Sequence, residues 1–457
     1  MKRFLLFGVL FGVCYSGASW LAMQRASLPS WAFPFEQHVP FVPWMAYVYL
    51  TIIPALLVAP LLLRDELRAF ATTLCWETVI ACAFFVVYPL TTSFHRPPVS
   101  MLAFRVADAL NLEANEFPSL HVAFAVTCAW VYGRRRRGVI LSPAEGEGSP
   151  RKSQEILRFA QDDKRTVFWI TWCVLVSASA WLTWEHQLID LLGGAVLAWA
   201  CIQREIVWAE LCCLVQCARF SRRHVRYFVI FLAIWGPSLL HWRRTRVIRF
   251  AFVTAQWIDD LLDGDRPSKR DPLLIVDELL ARRFTREPLP RLMAALFREL
   301  KPQDEFLDLI REMRLDRLRL GERWTAAPLE EHHRRTFALS VDLMLQLTGC
   351  RTRATEVMPL VDALAWCSVF RDLDDDLAKG LINIPLEVTD AEAWSRDEHA
   401  RALRTLRESE NAIAALSDRK AQRILGVFQR SIEKFAAGRL ENREAVSTAQ
   451  DGRPAVP

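Results

Sequence analysis

Two acidic clusters are the groups of side chains in this sequence whose types and spacing best suit chemistry. They lie in the stretches "WIDDLLDGD" (257–265) and "RDLDDDLAKGLINIP" (371–385), each set in an otherwise apolar helical pattern. Each set of carboxylates follows a helical spacing that places it on one face of a helix. The candidate metal ligands are Asp259, Asp260, Asp263, Asp372, Asp375 and Asp376.

Carboxylate oxygens of this kind suit Mg²⁺, which binds one or two carboxylates together with substrate phosphates. Two clusters that face each other across a helical bundle would bind several Mg²⁺ ions and hold a diphosphate as it leaves. A single acidic cluster is weak support, because solvated acidic helix faces are common. Two such clusters in apolar helices favour a metal–diphosphate site, since carboxylates on a buried side need a partner.

A second candidate site combines two histidines, an aspartate and an arginine in the N-terminal half. They lie in "HRPP" (95–98), "FPSLHVA" (117–123) and "SAWLTWEHQLIDLLGG" (179–194). His186 and Asp190 are four residues apart, so on a helix the carboxylate can orient the imidazole. Ionisable groups at membrane depth are costly and usually functional, although a lone histidine is more often a packing residue. The group consists of Arg96, His121, His186 and Asp190.

The elements that must position this second group are membrane spans. The first half of the chain consists mainly of long apolar runs, whereas the second half is rich in charge. Six segments approach the length of about 17–25 apolar residues that a transmembrane helix needs. They are 4–23, 40–63, 69–90, 119–133, 167–185 and 187–207.

The distribution of basic residues predicts that both termini are cytoplasmic. Positive charges precede the first span, follow the second and follow the fourth, where "RRRR" occupies 134–137. The loop 134–166 has the composition of a disordered cytoplasmic segment. The histidine-containing group then lies at the outer face of the membrane, and the charge-rich half lies in the cytoplasm. We expect an integral protein of a bacterial inner membrane.

The region from about residue 40 to 207 resembles the type 2 phosphatidic acid phosphatase superfamily, especially its branch with inositol phosphorylceramide synthase. The resemblance implies that His186 attacks phosphorus to form a phosphohistidine while Asp190 orients the ring. It also implies that His121 protonates the leaving alkoxide. An activated nucleophile with an acid opposite it suits phosphoryl transfer. The residues implied to hold the substrate phosphate are Arg96 and Ser119.

Three positions depart from that family pattern. A lysine expected seven residues before Arg96 is Pro89 in this chain. Leu120 replaces the glycine of "PSGH", and Ala180 replaces an arginine. The phosphate would therefore meet fewer cations than in typical members. No cofactor is expected for this half of the chain.

The region from about residue 230 to 435 looks like the squalene/phytoene synthase family of the class I isoprenoid synthases. The resemblance implies Mg²⁺-dependent head-to-head coupling of two prenyl diphosphates, while a cyclase or an enzyme that ionises one substrate remains open. Arg371 is a candidate phosphate-binding residue. The blocks in family order are "GPSLLHWRRTRVIRFAFVTAQWIDDLLDGD" (236–265), "LIREMRLDRLRLGERW" (309–324), "TFALSVDLMLQLTG" (336–349) and "CSVFRDLDDDLAKGLINIP" (367–385).

This second region also departs from its family. Ser368 stands where the family has asparagine, Leu381 stands where it has arginine, and the region is shorter than typical members. The diphosphate chemistry is expected to survive these changes, with an altered second step of reduction or rearrangement.

The predicted fold is all-α: a six-helix transmembrane bundle followed by an all-helical domain of the class I isoprenoid synthase type. Segment 226–240 is expected to lie at the membrane interface. A net charge of +5 without one basic patch argues against nucleic-acid binding. The 11 cysteines lack paired spacing and are expected to be buried thiols. The expected divisions are a membrane domain 1–207, a linker 208–235, a synthase-like domain 236–440 and a disordered tail 441–457.

We therefore expect a bifunctional membrane enzyme that acts on prenyl diphosphates and lipid phosphates, with Mg²⁺ in the second domain. One alternative is a lipid phosphatase or phosphotransferase with a degenerate synthase-like domain. Another is a non-catalytic membrane scaffold. The intact acidic clusters argue against the first alternative. The presence of His121, His186 and Asp190 argues against the second.

Overall fold

The computed structural model is helical and divides into two compact units, residues 1–204 and 205–457. It describes all residues except 26, 113, 135–149, 224–227, 229–231, 233, 237 and 452–457, and only the backbone of 150–163, 223 and 439–451. The described residues contain no β-strand, and an isolated bridge joins Leu90 to Asn115. The expected all-α class is confirmed.

Nine helices with mainly apolar sequences make up the described part of the first unit. Helix α7 is central, because it packs against α5, α8 and α9. Two short 3-10 helices, Pro34–His38 and Pro43–Met45, lie between α1 and α2. The helices are α1 Lys2–Met23, α2 Ala46–Leu50, α3 Ile52–Leu57, α4 Ala59–Leu62, α5 Leu67–Val87, α6 Leu102–Leu110, α7 Leu120–Gly133, α8 Pro150–Leu182 and α9 Leu188–Ile202.

Three helices of the described chain are long and apolar enough to cross a membrane: Lys2–Met23, Leu67–Val87 and Lys164–Leu182. Leu188–Ile202 and Arg204–Arg222 add a fourth only if they form one interrupted span. Helix α7 is apolar but has only 14 residues, fewer than a membrane-spanning helix needs. The chain thus has the apolar helices of a membrane protein, but the expected bundle of six spans is not confirmed. Sidedness stays a prediction.

The second predicted span, 40–63, is broken into the short helices α2, α3 and α4. Pro54 lies inside α3 and Pro60 lies in the first turn of α4. Proline lacks the amide hydrogen of a helical bond and its ring clashes with the preceding turn, so a continuous helix here is disfavoured. The predicted loop 134–166 also differs, because α8 already begins at Pro150, while residues 135–149 are outside the described chain.

Within its described residues, the second unit contains nine further helices, which form two packed groups. Helices α10 to α14 enclose one apolar core and α15 to α18 enclose another. The helices are α10 Arg204–Arg223, α11 Trp242–Leu262, α12 Pro272–Leu280, α13 Pro288–Phe297, α14 Gln303–Leu318, α15 Ala326–Leu347, α16 Met358–Lys379, α17 Ala391–Ala415 and α18 Arg419–Asp451.

Two expected boundaries differ from this arrangement. The predicted linker 208–235 contributes α10, which places Cys213, Cys217 and Phe220 in the first core of the second unit. Seven of the 15 residues of the predicted interfacial segment 226–240 lie outside the described residues. The predicted disordered tail begins at 441, yet helix α18 continues to Asp451, and residues 452–457 are not described.

Candidate functional sites

His186 is buried in the first unit, in the turn between α8 and α9, with 1% of its surface exposed. Its Nδ1 lies 3.0 Å from Glu116 Oε2 and 3.8 Å from Asp190 Oδ2. Because α9 begins at Leu188, His186 precedes the helix, and the predicted placement of His186 and Asp190 on one helical face is wrong. The structure still brings the two side chains together, but the nearer carboxylate belongs to Glu116.

Asp190 has a second partner in the turn itself. Its Oδ2 accepts a hydrogen bond of 2.8 Å from the backbone amide of Gln187, which caps the first turn of α9. An acidic side chain at the start of a helix is also favoured by the helix dipole. Asp190 therefore fixes the turn that carries His186 as well as lying near its ring.

His121 lies in the first turn of α7 and faces the same pocket, with its ring centre 6.2 Å from that of His186. The Tyr49 hydroxyl and His121 Nδ1 are 2.8 Å apart. Nδ1 of His186 lies near Glu116 and Nδ1 of His121 lies near Tyr49, so Nε2 is the remaining ring nitrogen of each histidine. Ser119 is buried and caps α7, because its hydroxyl accepts a 3.4 Å hydrogen bond from the amide of Val122. Its predicted role in binding phosphate stays a prediction.

Arg96 enters the pocket between two carboxylates. Its NH1 is 2.8 Å from Glu185 Oε1 and 2.8 Å from Asp108 Oδ1. Glu185 is fully buried, and its Oε2 also accepts a 2.7 Å hydrogen bond from the side-chain amide of Asn111. Arg96 therefore lies beside Glu185, the residue next to His186, and a substrate phosphate would have to share Arg96 with these carboxylates. Its predicted role in binding phosphate stays a prediction.

Close backbone packing positions the histidine pocket. The backbone amide of Ser119 donates to the carbonyl of Asp190 at 3.0 Å, which joins the start of α7 to α9. A Cβ at Gly194 would lie 2.3 Å from the Ser119 carbonyl, and one at Gly193 would lie 2.4 Å from the Phe117 ring. Only glycine fits at these two positions without a shift of the neighbouring chain.

Four residues of this pocket were missed by the sequence analysis. Glu185 directly precedes His186, and Glu116 directly precedes "FPSLHVA". Their position next to the motifs was the available signal. Tyr49 comes from a segment distant in sequence and Asn111 lies six residues before "FPSLHVA", and no local pattern marks either residue. The four are Tyr49, Asn111, Glu116 and Glu185.

The first acidic cluster of the second unit lies at the C-terminal end of α11. Gln256 Nε2 is 3.1 Å from Asp259 Oδ2 and 3.1 Å from Asp260 Oδ1, so one amide links the two carboxylates. Asp260 is buried, whereas Asp263 follows the helix and is exposed. The predicted common face therefore includes carboxylates of very different burial.

A carboxylate of the second acidic cluster raises the pKa of one in the first cluster. Although Asp263 reaches the surface, neighbouring atoms shield it in part from water, and this shielding with the carboxylates of Asp376 and Asp316 raises its pKa to about 7. Burial, with Asp372 and Asp316, raises the pKa of Asp376 to about 6. Burial and the charge of Asp263 raise the pKa of Asp259 well above its usual value. Carboxylates that repel each other in this way provide a setting for cations.

Asp316 on α14 was not singled out from the sequence, although its block was. Burial alone would raise the pKa of Asp316, but the hydrogen bond with His332 Nε2, 3.0 Å long, and the nearby Arg319 keep it below its usual value. Arg319 is buried and its Nε donates to Asp316 Oδ1 at 2.9 Å. Asp316 is therefore ionised and held in place.

A loop contact aligns α14 with the second acidic cluster. Gly380 ends α16 with a φ of 87°, a left-handed conformation that favours glycine. Its carbonyl accepts the amide of Gly321 at 2.8 Å. Asn383 then donates to Asp376 Oδ2 at 2.9 Å and accepts from Arg319.

The remaining predicted residues of this cluster are more exposed. Arg371 pairs with the adjacent Asp372 at 2.5 Å, so its predicted role towards a substrate phosphate stays a prediction. Asp375 is exposed. Lys379 Nζ lies 2.9 Å from Asp265 Oδ1, which links the ends of the two acidic motifs by an ion pair.

Comparison with known proteins gives one match. The family model described as the PAP2 superfamily matches residues 25–144. The matched part includes Tyr49, Arg96, Glu116 and His121, while His186 lies beyond its end. No curated protein and no solved structure matches the chain. The match supports a phosphatase-like membrane region, and no comparison supports the likeness of the second unit to squalene/phytoene synthases.

Proposed function

We propose that the first unit is a lipid phosphatase or phosphotransferase in which His186 carries the phosphoryl group. The observation that carries the proposal is the shared pocket of His121 and His186 in a unit whose sequence matches the PAP2 superfamily. Each ring has its Nδ1 near another side chain, which leaves both Nε2 atoms for the reacting groups.

In the proposed first step, the lone pair of His186 Nε2 attacks phosphorus and the bond from phosphorus to the lipid oxygen breaks. The leaving alkoxide takes a proton from His121. In the second step, water or another hydroxyl gives its proton to His121 and displaces His186 from phosphorus. The carboxylates of Glu116 and Asp190, which lie near Nδ1, stabilise the positive charge that develops on the His186 imidazole.

Release of phosphate from phosphatidic acid by the purified full chain in nanodiscs tests this proposal. His186→Ala should abolish release, because no other group in the proposed step supplies the nucleophile. His38→Ala is the matched control, since His38 is exposed in the same unit. Equal activity of wild type and His186→Ala, or inactivity of wild type on lipid phosphates and inositol-lipid donors, would contradict it.

For the second unit we propose Mg²⁺-dependent chemistry on prenyl diphosphates. The supporting observation is a chain of contacts between the helices that carry the two acidic clusters and Asp316. Asn383 donates to Asp376 and accepts from Arg319, which also donates to Asp316. Lys379 pairs with Asp265 next to the first cluster. The donor atoms of the clusters are carboxylate oxygens, the ligands that Mg²⁺ prefers, and Asp263 is open to water and substrate phosphates. Bound Mg²⁺ would neutralise the diphosphate as it leaves.

The binding of a prenyl diphosphate to the full chain, measured with and without Mg²⁺, tests this second proposal. Asp376→Asn should weaken the Mg²⁺-dependent binding by more than about tenfold, because a shared ligand is lost. Asp374→Asn on the same helix is the control, since Asp374 is exposed and has no hydrogen bond or ion pair in the described structure. Binding that persists unchanged in EDTA would refute the proposal.

A further inference from the structure

Three buried side chains of the first unit form a compact set of potential metal ligands. One ligand atom each from Glu116, His186 and Asp190 lies within 4.8 Å of the other two. Although Nδ1 and Glu116 Oε2 are only 3.0 Å apart, neither makes a hydrogen bond of good geometry with any described residue. Asp190 Oδ1 and His186 Nε2 also have no such partner in the described chain. Buried polar atoms left in this state point to a further ligand.

The charges around the set point to a cation. Glu116, Asp190 and Glu185 bring three buried carboxylates to the pocket, while Arg96 already pairs with Glu185. Pro89 and Ala180 stand where the family pattern has a lysine and an arginine, so these two positions supply no further cation. An excess of buried carboxylate over positive charge is costly unless a cation is bound or protons are taken up.

We propose that Glu116, His186 and Asp190 bind a divalent transition-metal ion of the Zn²⁺ type. Zn²⁺ binds histidine nitrogen together with carboxylate oxygen, whereas Mg²⁺ prefers oxygen ligands alone. A tetrahedral ion with bonds of about 2.1 Å separates its ligand atoms by about 3.4 Å. The distances from Nδ1 to the two carboxylates, 3.0 and 3.8 Å, lie on either side of that value.

Such an ion inhibits the phosphoryl transfer proposed above, on which this part of the inference rests. A neutral imidazole has one nitrogen lone pair and one N–H. When the ion takes the lone pair of His186 at Nδ1, the proton must lie on Nε2, and Nε2 can no longer attack phosphorus. Metal binding and nucleophilic catalysis by His186 therefore exclude each other.

Metal content and inhibition of the full chain, purified without a histidine tag, test the proposal together. After exposure to ZnCl₂ and gel filtration, Glu116→Gln should retain about one zinc ion less per chain than wild type, since a zinc site loses a protein ligand. The ZnCl₂ concentration that halves the rate of Glu116→Gln, measured against that variant's own rate without zinc, should exceed the wild-type value by more than about tenfold. Asp190→Asn should show the same two changes.

Glu77→Gln is the matched control, because Glu77 is a buried carboxylate of the same unit that contacts Thr127 instead of the histidine pocket. It should keep the zinc content and the inhibition of wild type. Zinc content that is the same in wild type, Glu116→Gln and Asp190→Asn, all eluting as folded protein, overturns the site. If wild type has no phosphatase activity, the zinc content alone decides, so failure of the two proposals can be distinguished.

Discussion

The two candidate sites are built in opposite ways. In the first unit, His186 and Asp190 are each 1% exposed and are held by backbone contacts between helix starts. In the second unit, the acidic side chains lie near the C-terminal ends of α11 and α16, and Asp263 and Asp375 are exposed. An enclosed site can dictate which nitrogen of a histidine carries a proton. An open acidic site collects cations from solution or together with a substrate.

This difference decides where each site is vulnerable. The enclosed site depends on shape, because packed interiors tolerate little change in volume. The open site depends on charge, because its carboxylates repel each other until a cation binds. Changes of shape should therefore disable the first unit, and changes of pH should act on the second.

The largest expected effect comes from adding one methyl group to the enclosed site. In Gly194→Ala the new Cβ would lie 2.3 Å from the backbone carbonyl of Ser119, so α7 and α9 must separate. We expect loss of phosphatase activity and, from overpacking, a destabilisation of about 1–3 kcal/mol or more. Gly17→Ala is the control, because nothing lies within 4 Å of a Cβ there. Equal activity and equal thermal stability of the two variants would mean that the packing at Gly194 does not hold the site.

A smaller effect is expected when the shape is kept and one hydrogen bond is removed. Tyr49→Phe deletes the hydroxyl that lies 2.8 Å from His121 Nδ1. We expect kcat to fall by about 10–100-fold, within the contribution of a positioned general acid. The loss should be smaller for a phosphate ester with a good leaving group, since that reaction needs less protonation. A loss independent of the leaving group would assign Tyr49 a purely structural role.

The open site should respond to pH in a definite direction. With pKa values of about 7 for Asp263 and about 6 for Asp376, Asp263 is mainly protonated and Asp376 about half protonated at pH 6, and both are mainly ionised at pH 8. Because Mg²⁺ competes with those protons, its affinity should rise by roughly 20-fold over this range. Calorimetric titration of the full chain with MgCl₂ measures the change. Asp263→Asn should flatten the profile, and a pH-independent affinity in wild type would argue against a shared carboxylate site.

The two sites also differ in how far the sequence predicts them. The sequence identified His121, His186 and Asp190 because polar residues in apolar runs are conspicuous. It could not identify Tyr49 as a partner of His121, because that contact depends on how separate helices pack. Glu116 was marked only by its position directly before "FPSLHVA". The sequence also placed His186 inside a helix, since a spacing of four residues fits a helix and a turn before it equally well.

The acidic clusters show a second limit. Helical spacing predicted one common face for each cluster, and the interaction of Asp372 with Asp376 fits that spacing. Burial differs along each motif, however, because α11 ends before Asp263 and Asp375 is on the exposed side of α16. The contribution of Asp316 comes from a third helix, α14, and is set by Arg319 and packing rather than by a local pattern.

The smallest expected effect compares the helix caps of the two units. Asp390 caps α17 by accepting the amides of Glu392 and Ala393 at 3.0 Å each, and no candidate site residue is involved. Asp390→Ala should lower stability by about 1 kcal/mol, the usual cost of losing such a cap, without a change in Mg²⁺ affinity. Ser119→Ala removes the cap of α7 at the wall of the enclosed site. Since α7 also carries His121, this second variant should lose activity as well as thermal stability. If both variants lost stability alone, the start of α7 would tolerate movement, and the contrast between an enclosed and an open site would not extend to catalysis.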